Sequence, residues 1–387
     1  MGSPVAPSGR DRPRLTHLTR ALAGLVVAIL VLLAIAYRDA TDSSSPSTPP
    51  PAVGFSYSPE ALPPGIDAVQ GLATLLEWLQ PDLVRLPVYW SDVANEPGEL
   101  DFAKSDQLLQ VVAQHDLQDT QHPTRVVLVV GLRNIDYPEV WAPAWLPPSA
   151  AQDPGQLVGS AAFDEYFRAT VAHYALNPLL AAWQIENEPL DDVTSGDDSA
   201  TTVAMSTATV EAQVRELKQV DPSHPALVTT YNSSVLALDQ EAQSPLAGVY
   251  SHLPLPQPVG HPADALEAGD IFGLDAYVVT PDTPLLQASA DARLGWKAGS
   301  YEYWAEQAAK LKKRFWITEM QGAPWLNAPG FTMADFLYSA QLYRSVGAQA
   351  VLFWGVEGWL TRPDWLAAGI QATRVLRAPE GSGTSPA

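Results

Sequence analysis

The sequence predicts a closed parallel (β/α)8 barrel of the TIM-barrel class. Three observations carry that expectation. Eight short apolar or β-branched runs alternate with longer amphipathic segments, the signature of buried parallel strands covered by helices. Five of these runs carry a polar or aromatic group near the same end, where a barrel of this kind places its chemistry. No G-x-G-x-x-G or G-x-x-x-x-G-K-[ST] follows the early runs, so an open doubly wound sheet, the other arrangement of such units, would lack its phosphate cradle.

The elements follow in chain order. Residues 1–20 are basic, with Arg10, Arg12, Arg14 and Arg20, and precede an apolar stretch over 21–37. Positive charge ahead of such a stretch predicts the N-terminus inside and the remainder exported. The stretch is at the boundary between a spanning helix and a signal segment, and Ala34-Ile35-Ala36 offers a cleavage site, so anchor and cleaved signal both stand. Residues 38–52 include TDSSSPSTPPPA, which has too little apolar surface to fold and reads as an extended spacer. The barrel is expected over 53–378, with a disordered tail at 379–387.

The predicted strands are 53–57, 83–90, 125–132, 181–187, 226–231, 271–279, 315–320 and 350–355. Helical candidates between them include 66–79, 104–117, 161–176, 301–313 and 334–347. The chain of 387 residues is 47% apolar, enough for a core of this size. It has no cysteine, which excludes disulfides, thiolate metal sites and a cysteine nucleophile. A net charge of −21 argues against nucleic acid as partner. The seven histidines lack zinc-site spacing, and DDVTSGDDS (191–199) lacks the spacing of a calcium loop. No metal, cofactor or obligate protein partner is called for.

The polar strand ends are Arg85 on the second strand, Asn187-Glu188 on the fourth, Asp275-Ala276-Tyr277 on the sixth, Glu319 on the seventh and Trp354 on the eighth. Charged groups ending apolar strands are costly unless they are paired or solvated at a site. Two carboxylates held about 5–5.5 Å apart can divide the work of cleaving a glycosidic bond, one attacking the anomeric carbon while the other protonates the departing oxygen. Arg85 and Tyr277 are suitable donors to Glu319. Asn187 is placed to hold a sugar hydroxyl, and Trp354 to offer a flat face to a sugar ring. Trp325 is a further platform candidate. Trp141 and Trp145 read equally as platforms or as anchors of a proline-rich loop.

WQIENEP and ITEMQGAPW, with the second-strand Arg and eighth-strand Trp, resemble glycoside hydrolase clan A, the retaining (β/α)8 glycosidases. The resemblance covers 53–375. It implies Glu188 as acid/base beside Asn187, Glu319 as nucleophile, and Arg85 and Tyr277 as their neighbours. Local motifs are similar to family 42 β-galactosidases, although the cysteine-rich metal cluster of that family is missing. Family 5 cellulases and mannanases usually carry H-x-Y where this chain has Asp275-Ala276-Tyr277.

Asn-Glu-Pro occurs twice. The copy at 95–97 runs into Gly98, a turn signal, and EPGELDF (96–102) resembles a scaffold segment of family 42. Only the copy at 187–189 ends a strand. Glu186 is expected to be structural. The expected function is a retaining hydrolase of β-linked carbohydrate, tethered to or released from the membrane by its N-terminal segment. A carbohydrate-binding barrel without turnover, or a transglycosylase using the same carboxylates, are the alternatives.

Overall fold

The chain divides into residues 1–48 and 49–387. The computed structural model describes 49–118, 123–136, 139–147, 154–191, 193–194, 201–202, 204–231, 260–278, 290–324 and 330–379. The basic N-terminus, the apolar stretch 21–37, most of the spacer and nearly all of the tail lie outside the described residues. Among the described residues, no helix is long and apolar enough to cross a membrane.

Eight parallel strands close a barrel in sequential order. They are β1 (Ala52–Ser56), β2 (Leu83–Tyr89), β3 (Arg125–Gly131), β4 (Leu180–Ile185), β5 (Ala226–Tyr231), β6 (Ile271–Ala276), β7 (Arg314–Gln321) and β8 (Ala350–Trp354). The first strand starts at Ala52, the last residue of the stretch read as spacer, which pairs with Ala350 to close the barrel. Each strand is followed by a helix: α1 (Ala68–Leu79), α2 (Ala103–Gln118), α3 (Ala161–Tyr174), α4 (Thr207–Val220), α5 (Pro262–Ala268), α6 (Ala290–Lys310), α7 (Met333–Ser345) and α8 (Pro363–Arg377). A two-stranded antiparallel ribbon, Val193–Thr194 with Thr201–Thr202, sits between β4 and α4.

Local chemistry starts and stops these helices. Asp67 caps α1 by accepting from Gln70 N–H, and Gln80 ends it in the left-handed region. Leu72, Leu75, Leu76 and Leu79 line its buried face at helical spacing. Thr332 and Asp335 form a reciprocal capping box at the start of α7. Between strands and helices runs one apolar shell, containing Val84, Leu86 and Val88 of β2 and Phe315 and Ile317 of β7.

Inside the barrel, alternation sorts the chemistry by height. One interior cluster is apolar: Leu83, Val127, Ala182, Leu227, Ile271, Trp316, Ala350 and Leu352. Two residues further along, β2, β4, β5 and β7 place Arg85, Gln184, Thr229 and Thr318, all buried. The apolar cluster is thus a floor, and the polar layer above it is the base of a site at the C-terminal ends of the strands.

β7 breaks the alternation. Leu274 faces Ile317, but Asp275 faces Glu319, so the strand carries one extra residue at Thr318. Thr318 and Glu319 therefore both turn inward, while Met320 rejoins the outer apolar shell.

The shell tolerates little loss of volume. Phe336 of α7 is fully buried and meets Phe353 and Trp359 edge-on at 5.4 and 5.7 Å. Phe336→Ala is expected to cost about 3–5 kcal/mol, read as a lower denaturant midpoint with an unchanged slope.

Candidate active site

The site is built around one buried cation. Arg85 is wholly buried, and its guanidinium donates from Nε to Ser56 Oγ (2.8 Å), from one terminal nitrogen to Gln184 Oε1 (3.0 Å) and from the other to Glu319 Oε1 (2.6 Å). The second oxygen of Glu319 accepts from the Tyr277 hydroxyl. Tyr277 stacks on Tyr231 at the end of β5, with ring centroids 5.8 Å apart. Burial first, then the Glu319 charge, push the Tyr277 hydroxyl well above its ordinary value, so it stays a neutral donor.

Gln184 ties this layer to the end of β4. Its amide donates to the Glu186 carbonyl (3.0 Å) and to Asn187 Oδ1 (3.1 Å). The backbone there is unusual, since Glu186 and Glu188 have φ of +59° and +42°. Left-handed non-glycine residues cost of order 1–3 kcal/mol each and persist where their surroundings hold them. Glu186 is held by Arg133 N–H (2.6 Å) and by the Gln213 amide, both donating to its carboxyl. Glu188 N–H is held by Thr229 Oγ1 at 3.0 Å. The two glutamates thus part company: Glu186 packs beneath the loop after β3, while Glu188 joins the interior.

Oxygens of Glu188, Asp275 and Glu319 all lie within 4.8 Å of one another. Burial first, then Asp275 and Glu319, push the Glu188 carboxyl well above the usual range, favouring its protonated form. Such a trio spans the distance of a hard cation's ligand shell. Here Arg85 already supplies the positive charge, and both oxygens of Glu319 are engaged. We therefore assign no metal to it.

Trp354 ends β8 half-buried, with its ring centroid 5.7 Å from the Arg85 guanidinium carbon. Trp141 lies stacked on Tyr89 (4.0 Å), its N–H donating to the Asp136 carbonyl, and Trp145 donates to the Ala94 carbonyl. Both indole N–H groups fasten the loop after β3, as anchors do. Trp325 lies outside the described residues. Glu96 is exposed in a turn.

The structure therefore brings together Arg85, Asn187, Glu188, Tyr277, Glu319 and Trp354. It adds residues that sequence reasoning did not single out. Gln184 carries the same signal as Arg85, a polar group inside an apolar strand. Asp275 belongs to the polar end of the sixth strand, but the sequence assigns it no role of its own. Thr229 gives no signal, since threonine is ordinary in strands. Arg133 is wholly buried and donates to the Asp191 carbonyl (2.7 Å) and to Glu139 (3.2 Å), under the same loop.

No family model matches the chain, and no curated protein does. Solved structures do. The GH5_18 protein of Streptomyces cattleya, in complex with GlcNAc, matches with a TM-score of 0.58 and 16% identity over 88% of this chain and 82% of that one. The fold is that of the clan the sequence resembles. A GH5_18 from Bifidobacterium longum subsp. infantis gives 0.56 and 14% over 85% and 79%. The β-galactosidase of the Antarctic haloarchaeon Halorubrum lacusprofundi gives 0.51 and 14% over 85% of this chain. This chain spans only 58% of that protein. At these identities the likeness establishes the barrel.

Several carboxyls around the site are raised by burial: Glu139, Glu186 and Glu357 to about 7, and Asp191 to about 6. In the unfolded chain such groups ionise near 4. The folded protein thus holds more protons on these groups across the interval, and the stability they contribute is full below about pH 4 and falls as pH rises toward 7. Glu186→Gln removes one titrating group, so the loss between pH 4.5 and 7 should shrink by roughly 3 kcal/mol. Denaturant titrations of both proteins across that range read the difference; an unchanged slope would show Glu186 ionised in the fold.

Proposed function

We propose that the chain is a retaining β-glycoside hydrolase, with Glu319 as nucleophile and Glu188 as acid/base. The observation that carries this reading is the unlike treatment of two facing carboxyls. Glu319 is paired with Arg85 and accepts from Tyr277, whereas Glu188 has burial and like charge holding its proton. Their oxygens lie within 4.8 Å, in keeping with the close spacing of about 5–5.5 Å used in double displacement rather than the wider gap that admits a water.

Glu319 attacks the anomeric carbon from one face of the sugar as Glu188 protonates the departing oxygen. Once Glu319 is esterified, its charge is gone, and one cause holding the proton on Glu188 goes with it. Glu188, now an anion, takes a proton from water, and that water cleaves the ester. Asn187, beside Glu188, is assigned a sugar hydroxyl, and the open face of Trp354 the ring. Trp325 retains its role as a platform candidate on sequence grounds alone. Export, with the 21–37 stretch as anchor or signal, likewise rests on the N-terminal sequence.

The test is a screen of aryl β-glycosides with the product anomer followed by NMR. It includes galactosides and Manb1-4GlcNAc, the ligand of a GH5_18 variant from Bifidobacterium longum subsp. longum. Retention is expected; an inverted first product would refute the two-step route. Glu319→Gly should lose turnover and recover it with azide, giving a glycosyl azide of inverted configuration. Glu188→Gln should lower kcat/KM by about 10²–10⁴-fold for substrates with poor leaving groups and spare it for activated ones, while kcat falls for both because the second step loses its base.

A further inference from the structure

Catalysis as proposed needs two carboxyls, yet the barrel buries a third against them. Asp275 is wholly buried at the end of β6, opposite Glu319 in register. Its Oδ1 accepts from Thr318 Oγ1 at 2.6 Å. Its Oδ2 is closed to solvent and has no hydrogen-bond partner among the described residues. A buried polar atom without a partner calls for an explanation. Because that oxygen is inaccessible, direct contact with substrate is not the explanation. What lies beside it is the rest of the trio, with oxygens of Glu188 and Glu319 within 4.8 Å.

We propose that Asp275 is a positioning residue that acts through Glu188, its orphaned carboxyl serving as the electrostatic partner that keeps the acid's proton in place. This rests on Glu188 being the acid/base. The surroundings of each group set the order of events. Burial first, then Glu319 and Asp191, push the Asp275 carboxyl well above the usual range, while Arg85 and the Thr318 hydroxyl favour its charge. Burial first, then Asp275, Glu319, Asp191 and Glu139, disfavour charge on Glu188. Tyr277 is neutral beside both. In this scheme Asp275, whose Oδ1 has the Thr318 hydroxyl as a donor, is the carboxyl that ionises first. The resulting charge repels a second ionisation, and the acid form of Glu188 extends to higher pH.

Two readouts on the full chain test this, one needing turnover and one not. The first is the basic limb of kcat/KM on an aryl β-glycoside that the protein cleaves. The second is the infrared band of protonated carboxylic acids, titrated with pH, with the Glu188 component assigned by its loss in Glu188→Gln. In Asp275→Asn, the earlier-titrating component should vanish. The Glu188 component and the basic limb should both move down by about one pH unit or more. Thr318→Val removes a donor that favours the Asp275 anion, so it should move them the same way and stands in if the first variant does not fold. A Glu188 component that stays put or rises in these variants overturns the proposal, as does an unmoved limb. A shifted infrared component without hydrolysis of any glycoside would uphold the Asp275–Glu188 linkage and sink the hydrolase reading instead.

Discussion

The Arg85–Glu319 ion pair organises the upper half of this barrel. Three carboxyls share a buried space with oxygens within 4.8 Å of one another, and one guanidinium shares it with them. Two like charges at that separation repel by about 3 kcal/mol at an effective dielectric near 20, more than two pKa units. Three negative charges beside one positive charge are therefore unfavourable, and the arginine's position decides which carboxyl carries the charge. Its fork reaches Glu319 directly, and Tyr277 takes the other oxygen. Glu188 and Asp275 are both pushed toward their protonated forms, and the charge of either one opposes ionisation of the other. The proposed acid and the proposed nucleophile are thus distinguished by where a single cation sits.

Two local distortions make that geometry possible. The extra residue in β7 turns Glu319 inward beside Thr318; regular alternation would have sent it outward among the apolar side chains of the shell. At the end of β4, left-handed backbone at Glu186 and Glu188 separates two glutamates that a regular strand would have placed on one face. Gly131 belongs to the same device: a Cβ there would stand 2.5 Å from a carboxylate oxygen of Glu186. The packing of Glu186 against Arg133 and Gln213 holds strained backbone in place for its neighbour's benefit.

Much of this was legible in the sequence. All eight strands lie where apolar runs alternate with amphipathic segments, because burial on both faces demands continuous apolar strands. Glu188 and Glu319 stand out because charge at the end of such a strand needs a reason, and Arg85 because charge inside one does. The turn after Pro97 separated Glu96 from Glu188 for the same cause, since a carboxylate in an exposed turn needs none. Gln184 carries the same signal as Arg85, a polar side chain inside an apolar strand. Thr229 was not visible, since its role is one hydrogen bond to a backbone N–H that exists only once β4 and β5 are paired.

The sequence by itself determined the barrel, the end of it that bears the chemistry, and the residue types collected there, because these follow from periodicity and from the cost of burying charge. Only the tertiary structure decided which carboxyl is paired and which are pushed toward their protonated forms. That depends on a cation from β2 meeting carboxyls from β4, β6 and β7 across the barrel axis, and on a one-residue bulge that no periodicity announces. Electrostatic roles belong to distances between strands, and a chain acquires those distances only when it closes.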